Sequence, residues 1–445
     1  MAIQQSELTR EQKREQRLQR WLSPPGVTFR DARAEKNYKE RVTRFIKAFL
    51  CMEPDRVPVM VPAGNFPLRY SGLSLKQVMY DHTLIRPTWI KFMNDFYDDM
   101  DDFLGPAGVV CGPMLDILNY KLFKWPGHGL ADDVDYHQYV ETILMQADEY
   151  DGLLRDPSDF GFRVLTPRAA GSLEVLKDFP PLSSLMGMPM MLAYPFARPD
   201  VRLAFQRLIE AGIELEKWQR ELMLVNKDAV AAGFPMSMGG LGLAPFDLIA
   251  DMLRGTQGSA SDMYRQPKKL LEAVDMITEQ TIQRIITNVN TSGVFTVNFP
   301  LHKGDDTFMS DKHFEKFYWP SLKKVILALI EEGIMVSLFC EGRYNRRLEY
   351  IGDFPKGWVT WQFDQTDMAN AKRIIGKNCC IVGNVPSSLI AFGASKDVKE
   401  YCRKLIETCA PGGGYVLTGG TAVTEAKPEN LRAFMEAARE YGVYR

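Results

Sequence analysis

The sequence predicts an α/β fold: a (β/α)8 TIM-like barrel with an N-terminal helical extension and insertions. Three observations lead there. Short apolar runs recur along the chain, many of them ending in glycine or a small polar residue. Helix-length segments lie between several of them. About eight or nine such units over roughly 390 residues fit a barrel with insertions better than a Rossmann sheet.

The elements follow in order. Residues 6–22 interleave Arg10, Lys13, Arg14, Arg17 and Arg20 with Glu7, Glu11 and Glu15, which reads as a solvated, peripheral or partner-contacting helix. Pro24–Pro25–Gly26 breaks it. A second helix over 32–52 sets Val42, Phe45, Ile46, Phe49 and Leu50 on one side and should dock on the body. The expected division is 1–55 for this extension and 56–445 for the barrel. The first buried strand is Val57–Val61. Further strand candidates are 108–112, 162–166, 189–193, 234–238, 293–301, 333–340, 358–363, 379–383 and 414–417. Helices are expected over 202–226, 268–289, 311–332 and 396–409, with Ser310–Asp311 offering an N-cap for the third. Gly239–Gly240–Leu241–Gly242 lacks the spacing of a phosphate cradle and reads as a tight strand-to-helix turn.

Composition narrows the classes. A chain of 445 residues with 46 % hydrophobic and 25 % charged residues can bury a large core. A net charge of −2 supplies no field for nucleic acid or an anionic membrane. The longest apolar stretch, 186–196, is too short to span a bilayer and holds Pro189 and Pro195. The first residues show no secretory signal pattern. Seven unevenly spaced cysteines do not read as a disulfide framework, so a reducing cytoplasm is the expected compartment.

Barrel chemistry sits at the C-terminal ends of the strands. That rule selects Asp116, His302 with Asp305 and Asp306, Cys340 and Glu341, Asp364 with Asp367, and Asn384. These could gather as zinc ligands, with Cys340 and Glu341 the first choice, or act as acid–base groups. Cys340 reads equally well as a small buried hydrophobe. The methionines of 186–191 read as core or as an adaptable apolar wall.

Three segments carry a resemblance. Met60–Val61–Pro62–Ala63–Gly64–Asn65 is similar to a Met-Arg-Gln-Ala-Gly-Arg segment, Leu115–Asp116–Ile117–Leu118 to a Ser-Asp-Ile-Leu segment, and 411–420 to a C-terminal glycine turn. Together they resemble the uroporphyrinogen decarboxylase superfamily, which includes the haem-pathway decarboxylase and corrinoid-dependent methyltransferases. The resemblance implies a barrel from about Arg56 onward, a functional Asp116, and a ligand contact at Tyr194, one position off the family spacing. Val61 and Asn65 replace the two arginines that hold the decarboxylase's polycarboxylate substrate. Thr421 stands where decarboxylases have histidine and the zinc-dependent methyltransferases cysteine. Leu338–Phe339–Cys340–Glu341–Gly342 keeps the cysteine of a His-x-Cys-Gly motif and loses its histidine.

Divergent members with a Phe-Cys-Glu-Gly-Arg-Tyr stretch are similar to methyl donor:corrinoid methyltransferases, ether demethylases among them. That likeness implies transfer of a methyl group from a small donor, such as a methoxylated aromatic, to the cob(I)alamin of a separate protein. Glu341, Asp364 or His302 would serve the leaving group, directly or through Zn2+. Asn65, Tyr194, Asn384 and Thr421 would contact the substrate. Asp135–Tyr136–His137–Gln138–Tyr139–Val140 is similar to the Asp-x-His-x-x-Gly corrinoid motif, but Val140 stands where glycine is required, so the corrinoid is expected on a partner. Family members are often dimeric, which implies a homodimer. The alternatives are a decarboxylase working through Asp116 and a non-catalytic corrinoid- or tetrapyrrole-binding protein.

Overall fold

The computed structural model describes residues 8–185, 188–236 and 239–444. Its helices used below are α1 (Arg10–Leu22), α2 (Ala32–Phe49), α3 (Gly112–Leu118), α4 (Pro199–Ala231), α5 (Pro245–Ile249), α6 (Gly255–Arg265), α7 (Pro267–Ser292) and α8 (Trp319–Glu331). The strands are β1 (Phe123–Pro126), β2 (Gly129–Leu130), β3 (Gln138–Tyr139), β4 (Gly240–Leu241), β5 (Thr296–Leu301), β6 (Met335–Cys340), β7 (Val359–Phe363), β8 (Cys380–Val382) and β9 (Tyr415–Val416).

β4 to β9 form one parallel sheet in sequence order. Each crossover therefore adds the next neighbour, unlike the reversing order of a doubly wound sheet. The run Val57–Val61 extends the β9 edge. Val59 bridges Leu417 in parallel, and the Met60 N–H and the Pro58 carbonyl each bond Leu417 at 3.0 Å. Among the described residues no ladder joins that run to β4.

Pairing puts Thr296 beside Met335, Ser337 beside Thr360 and Thr360 beside Cys380. Side chains alternate along a strand, so this register sorts the sheet into two faces. Val297, Phe299, Leu301, Val336, Leu338, Trp361 and Phe363 are buried in the main core. Thr296, Asn298, Ser337, Thr360 and Gln362 line a small cavity of about 30 Å³ on the other face, with Met60 and Phe49.

The amino-terminal helices cover that second face. Trp21 stacks on Phe295 at 3.9 Å, and Phe45 and Phe49 join Met335 and Val416 in one cluster. α1 is therefore peripheral, one of the readings that the charge pattern offered, and it buries Leu18 and Trp21 rather than standing solvated all round. Its cations find carbonyls where α7 and α8 end: Arg17 donates to the Val294 carbonyl at 3.3 Å and to Asn290 at 2.8 Å, and Lys13 pairs with Glu332 at 3.0 Å. Positive charge is favourable at helix C-termini, where the last carbonyls lack partners. α2 docks as its apolar spacing requires.

Several short apolar runs are not strands. Residues 108–111 lead into α3. Residues 162–166 lie in a π-helical turn and a short helix, with Pro167 near its start. Residues 189–193 belong to the 3-10 helix Pro189–Ala197, where the proline lacks a ladder donor. Of the 234–238 run, Ser237 and Met238 lie outside the described residues, and the strand there is β4. A run of five apolar residues does not distinguish strand from buried helix. Ser310 does cap its helix, accepting the His313 N–H at 3.3 Å. All seven cysteines are free and buried. Among the described residues no helix is long and apolar enough to cross a membrane.

Asp101 locks α2 to the first strand-like run. It is 1 % exposed, pairs with Arg44 at 2.7 Å and Arg56 at 2.6 Å, and accepts the Val59 N–H at 3.0 Å. Removing one member of a buried ion network strands the others, at a cost of about 3–5 kcal/mol. Asp101→Ala should lower unfolding stability by that amount in urea titration, since Arg56 and the Val59 N–H lose their carboxylate, while Arg44 keeps its pairing with Asp55.

Candidate active site

The register that sorts the sheet also selects the residues beyond its C-terminal edge. His302, Glu341, Asp364 and Asn384 each lie two positions past an inner-face residue: Pro300, Phe339, Gln362 and Val382. The four therefore continue one face.

His302 is the best supported of them. Its Nδ1–H donates to Asp251 Oδ2 at 2.6 Å, and its Nε2 lies 3.7 Å from Glu341 Oε1. The ring is thus fixed on one nitrogen and presents the other to a carboxylate. Asp251 sits in a π-helical turn, Ala250–Arg254, that continues α5; such turns re-aim single side chains. Lys303 Nζ reaches Asp251 Oδ1 at 3.3 Å and Thr256 Oγ1 at 3.0 Å. Asp247, fully buried, accepts the backbone N–H groups of His302 and Lys303, both at 3.0 Å, and the Tyr318 hydroxyl at 2.8 Å.

The electrostatics follow from this packing. Burial alone would lower the pKa of His302. The hydrogen bond to Asp251 and the charges of Asp247, Asp251 and Glu341 outweigh it and raise the pKa to about 9. Burial, reinforced by the charge of Asp251, raises Asp247 to about 6, against the N–H donors that favour its ionised form. Burial also raises Glu341. The charges of Asp251 and Asp364 push the same way, and His302 and Lys303 oppose them.

Asp364 adjoins this network. The Gly342 N–H donates to its Oδ2 at 3.3 Å. Asn384 Nδ2 donates to the carbonyls of Asp364 at 3.0 Å and Thr366 at 2.8 Å, pinning that loop. A Cβ on Gly420 would fall 2.7 Å from Asp364 Oδ1, so only glycine lets the loop bearing half-buried Thr421 lie against it. A cavity of about 750 Å³ opens here, lined by Asp364, Thr366, Asn384, Ser387, Tyr401 and Lys404 among others.

The remaining sequence candidates lie elsewhere. Asp116 on α3 accepts the Tyr80 hydroxyl at 2.9 Å and pairs with His128 Nε2 at 3.1 Å; neither partner belongs to the His302 network. Asn65 is buried and donates to the Asp135 carbonyl at 2.8 Å. Tyr194 is 70 % exposed on the 3-10 segment. Cys340 is 0 % exposed and points to the opposite side of β6 from Glu341, because consecutive strand residues alternate. Burial first, then the charge of Asp306, pushes its thiol pKa well up. Among the described residues no three His, Cys, Asp or Glu side chains gather at ligand spacing. The donor set therefore does not fit the zinc that the resemblance implied.

Sequence reasoning missed Asp247, Asp251, Lys303 and Tyr318. A signal existed: two acids four residues apart, one helical turn, directly after the glycine run 239–242. That run is a close approach of backbones. A Cβ on Gly239 would meet the Thr296 carbonyl at 2.1 Å, and one on Gly242 the Phe299 ring at 2.4 Å.

Comparison with known proteins agrees with this frame. Residues 226–441 match the family model described as uroporphyrinogen decarboxylase (URO-D). The matched span runs from the last turns of α4 through β4 to β9 and on to residue 441. No curated protein matches it in sequence. A solved methyltransferase from Methanosarcina mazei shares the fold, with a TM-score of 0.54 and 14 % identity over 90 % of this chain and 98 % of that one.

The His302 pKa is directly testable. Folded, it stands at about 9; unfolded, near the usual ~6.5. The charged ring then contributes stability that is complete below about 6.5 and lost as pH rises through about 9. Proton NMR should show His302 titrating near 9, and Asp251→Asn should bring it down toward the unperturbed value. The urea midpoint of wild type should decline across the same interval more than that of the variant.

Proposed function

We propose that this chain is a methyltransferase built on a closed (β/α)8 barrel. It would move a methyl group from a small donor, such as a methoxylated aromatic, to the cob(I)alamin of a separate corrinoid protein in the cytoplasm. Residues 1–55 serve as its helical extension and residues 56–445 as the barrel. The observation that carries the reading is the line Asp251–His302–Glu341 at the C-terminal edge of the sheet.

Cob(I)alamin is a strong nucleophile, so the protein's task is the leaving group. As the donor's C–O bond breaks, its electron pair goes to oxygen while cobalt supplies the pair for the new Co–C bond. An unprotonated phenolate or alkoxide leaves poorly, and a positioned acid supplies the missing proton. Glu341 is half exposed at the mouth and its pKa is raised, so it can deliver that proton. His302, charged through neutral pH and held by Asp251, restores it through Nε2. Asp364 and Asn384, at the neighbouring strand ends, would contact the donor; the cavity of about 750 Å³ that they border has neither Glu341 nor His302 in its wall, so the donor would sit at its Asp364 rim. The zinc route is not used, since Cys340 and Glu341 face opposite ways.

A decarboxylase reading depends on cations for a polycarboxylate. Asn65 and Val61 supply none, and Arg69 is already paired with Asp135 and, at 2.7 Å, with Glu425. Glu341→Gln should lower transfer to a corrinoid protein about 10²–10⁴-fold, the usual worth of a general acid, with its unfolding transition unchanged. Wild-type turnover of uroporphyrinogen would instead favour the decarboxylase, and corrinoid binding without turnover the binding protein.

A further inference from the structure

The aim of Asp251 is set from outside its own helix. α5 and the π-helical turn Ala250–Arg254 end at Gly255, whose φ of 67° breaks the helix. The last four carbonyls of a helix, here those of 251–254, have no partner within it. π-turns are also rare, and they gather at functional sites. The segment from β3 to Met145 supplies what this turn lacks. The Tyr139 hydroxyl donates to the Asp251 carbonyl at 2.5 Å, and the Met145 N–H to the Leu253 carbonyl at 2.8 Å. The Arg254 guanidinium returns to the Met145 carbonyl at 2.6 Å and is itself braced by Asp262 at 2.6 Å.

The same segment reaches the carboxylate of Asp251 by a second route. Glu141 accepts the Thr256 N–H at 2.6 Å and the Thr256 hydroxyl at 2.7 Å, at the start of α6, where helical N–H groups lack partners. That hydroxyl in turn accepts from Lys303 Nζ at 3.0 Å, and Lys303 reaches Asp251 Oδ1 at 3.3 Å. Tyr139 therefore holds the backbone of Asp251, and Glu141 holds one carboxylate oxygen through Thr256 and Lys303. The other oxygen is left to His302 Nδ1 at 2.6 Å. Burial, and after it the charge of Asp251, raises the Tyr139 pKa to about 12, so the hydroxyl stays a donor through neutral pH and well beyond.

We propose that Tyr139 is a positioning residue for the Asp251–His302 pair, with Glu141 as the second point of support. It bonds the backbone of Asp251 and fixes the turn that brings the carboxylate to the ring. The inference rests on the function proposed above for what the pair does with its proton, and on geometry alone for how the pair is held. Without the hydroxyl the Asp251 carbonyl is orphaned, the turn relaxes, and the carboxylate moves off His302. Asp247 on α5 and Glu341 beyond β6 are the other carboxylates that raise the ring's pKa, and they remain, so the ring loses part of its charge support and not all of it.

Tyr139→Phe removes one oxygen and no charge, and it keeps the packing of the ring, so the fold survives. Proton NMR should then show His302 titrating at about 8 or below instead of about 9, since a nearby opposite charge moves a pKa by about 1–3. In the Asp251→Asn background the same change should move the titration no further, because its effect runs through Asp251. Tyr136→Phe, on the same stretch of chain and 52 % exposed, should leave His302 at about 9. The alkaline limb of methyl transfer in Tyr139→Phe should move down with the titration while KM for the donor stays unchanged. A merely structural hydroxyl would lower the urea midpoint and leave His302 at about 9; that result, or an equal fall in the Asp251→Asn background, would overturn the inference. The titration needs neither donor nor corrinoid. A wild type without transfer activity would therefore sink the methyl-transfer reading, and a lowered His302 titration in Tyr139→Phe would still support this one.

Discussion

A slip of β6 by one residue against β5 would exchange Glu341 for Cys340 at the mouth of the site. Everything chemical in this protein depends on that register. Thr296 opposite Met335 and Ser337 opposite Thr360 fix which half of each strand faces inward. His302, Glu341, Asp364 and Asn384 inherit their direction from it. The apolar half, from Val297 to Phe363, enforces the register because any slip would expose it. Core packing and site composition are one constraint seen from the two sides of the sheet.

The second layer is electrostatic. Two carboxylates, Asp247 and Asp251, are buried one helical turn apart, which alone would be costly. The loop after β5 compensates both at once. Its backbone N–H groups satisfy Asp247, and its His302 and Lys303 side chains satisfy Asp251. The same bonds hold the His302 ring and keep it charged. At the opposite end of the sheet α1 does comparable work, bringing cations to the carbonyls where α7 and α8 finish. The long α4 is tied to that end as well, through the Arg30 N–H and the Ala231 carbonyl.

Much of this was legible in the sequence. The apolar runs of β5 to β8 end where the polar residues of the candidate site begin, so strand-end logic selected His302, Glu341, Asp364 and Asn384. It also offered Cys340, because a strand boundary read from sequence is uncertain by a residue and that residue decides the face. Asp251 escaped because it comes from a helix, and its aim depends on a π-turn that leaves no mark on hydropathy. The docking of α1 was only partly legible for a similar reason: interleaved acids and bases fit a solvated as well as a peripheral helix, and the carbonyls that receive Arg17 come from elements far away in sequence. Tyr194 followed a family spacing that the 3-10 segment does not preserve.

The central claim is that a proton passing from His302 through Glu341 serves the leaving oxygen. The pH dependence of cob(I)alamin methylation from a methoxylated aromatic tests it most directly. The account predicts a rate that falls as pH rises through about 9, and a fall at distinctly lower pH in Asp251→Asn. A rate indifferent to pH over that range, or a profile unmoved in Asp251→Asn, would contradict it.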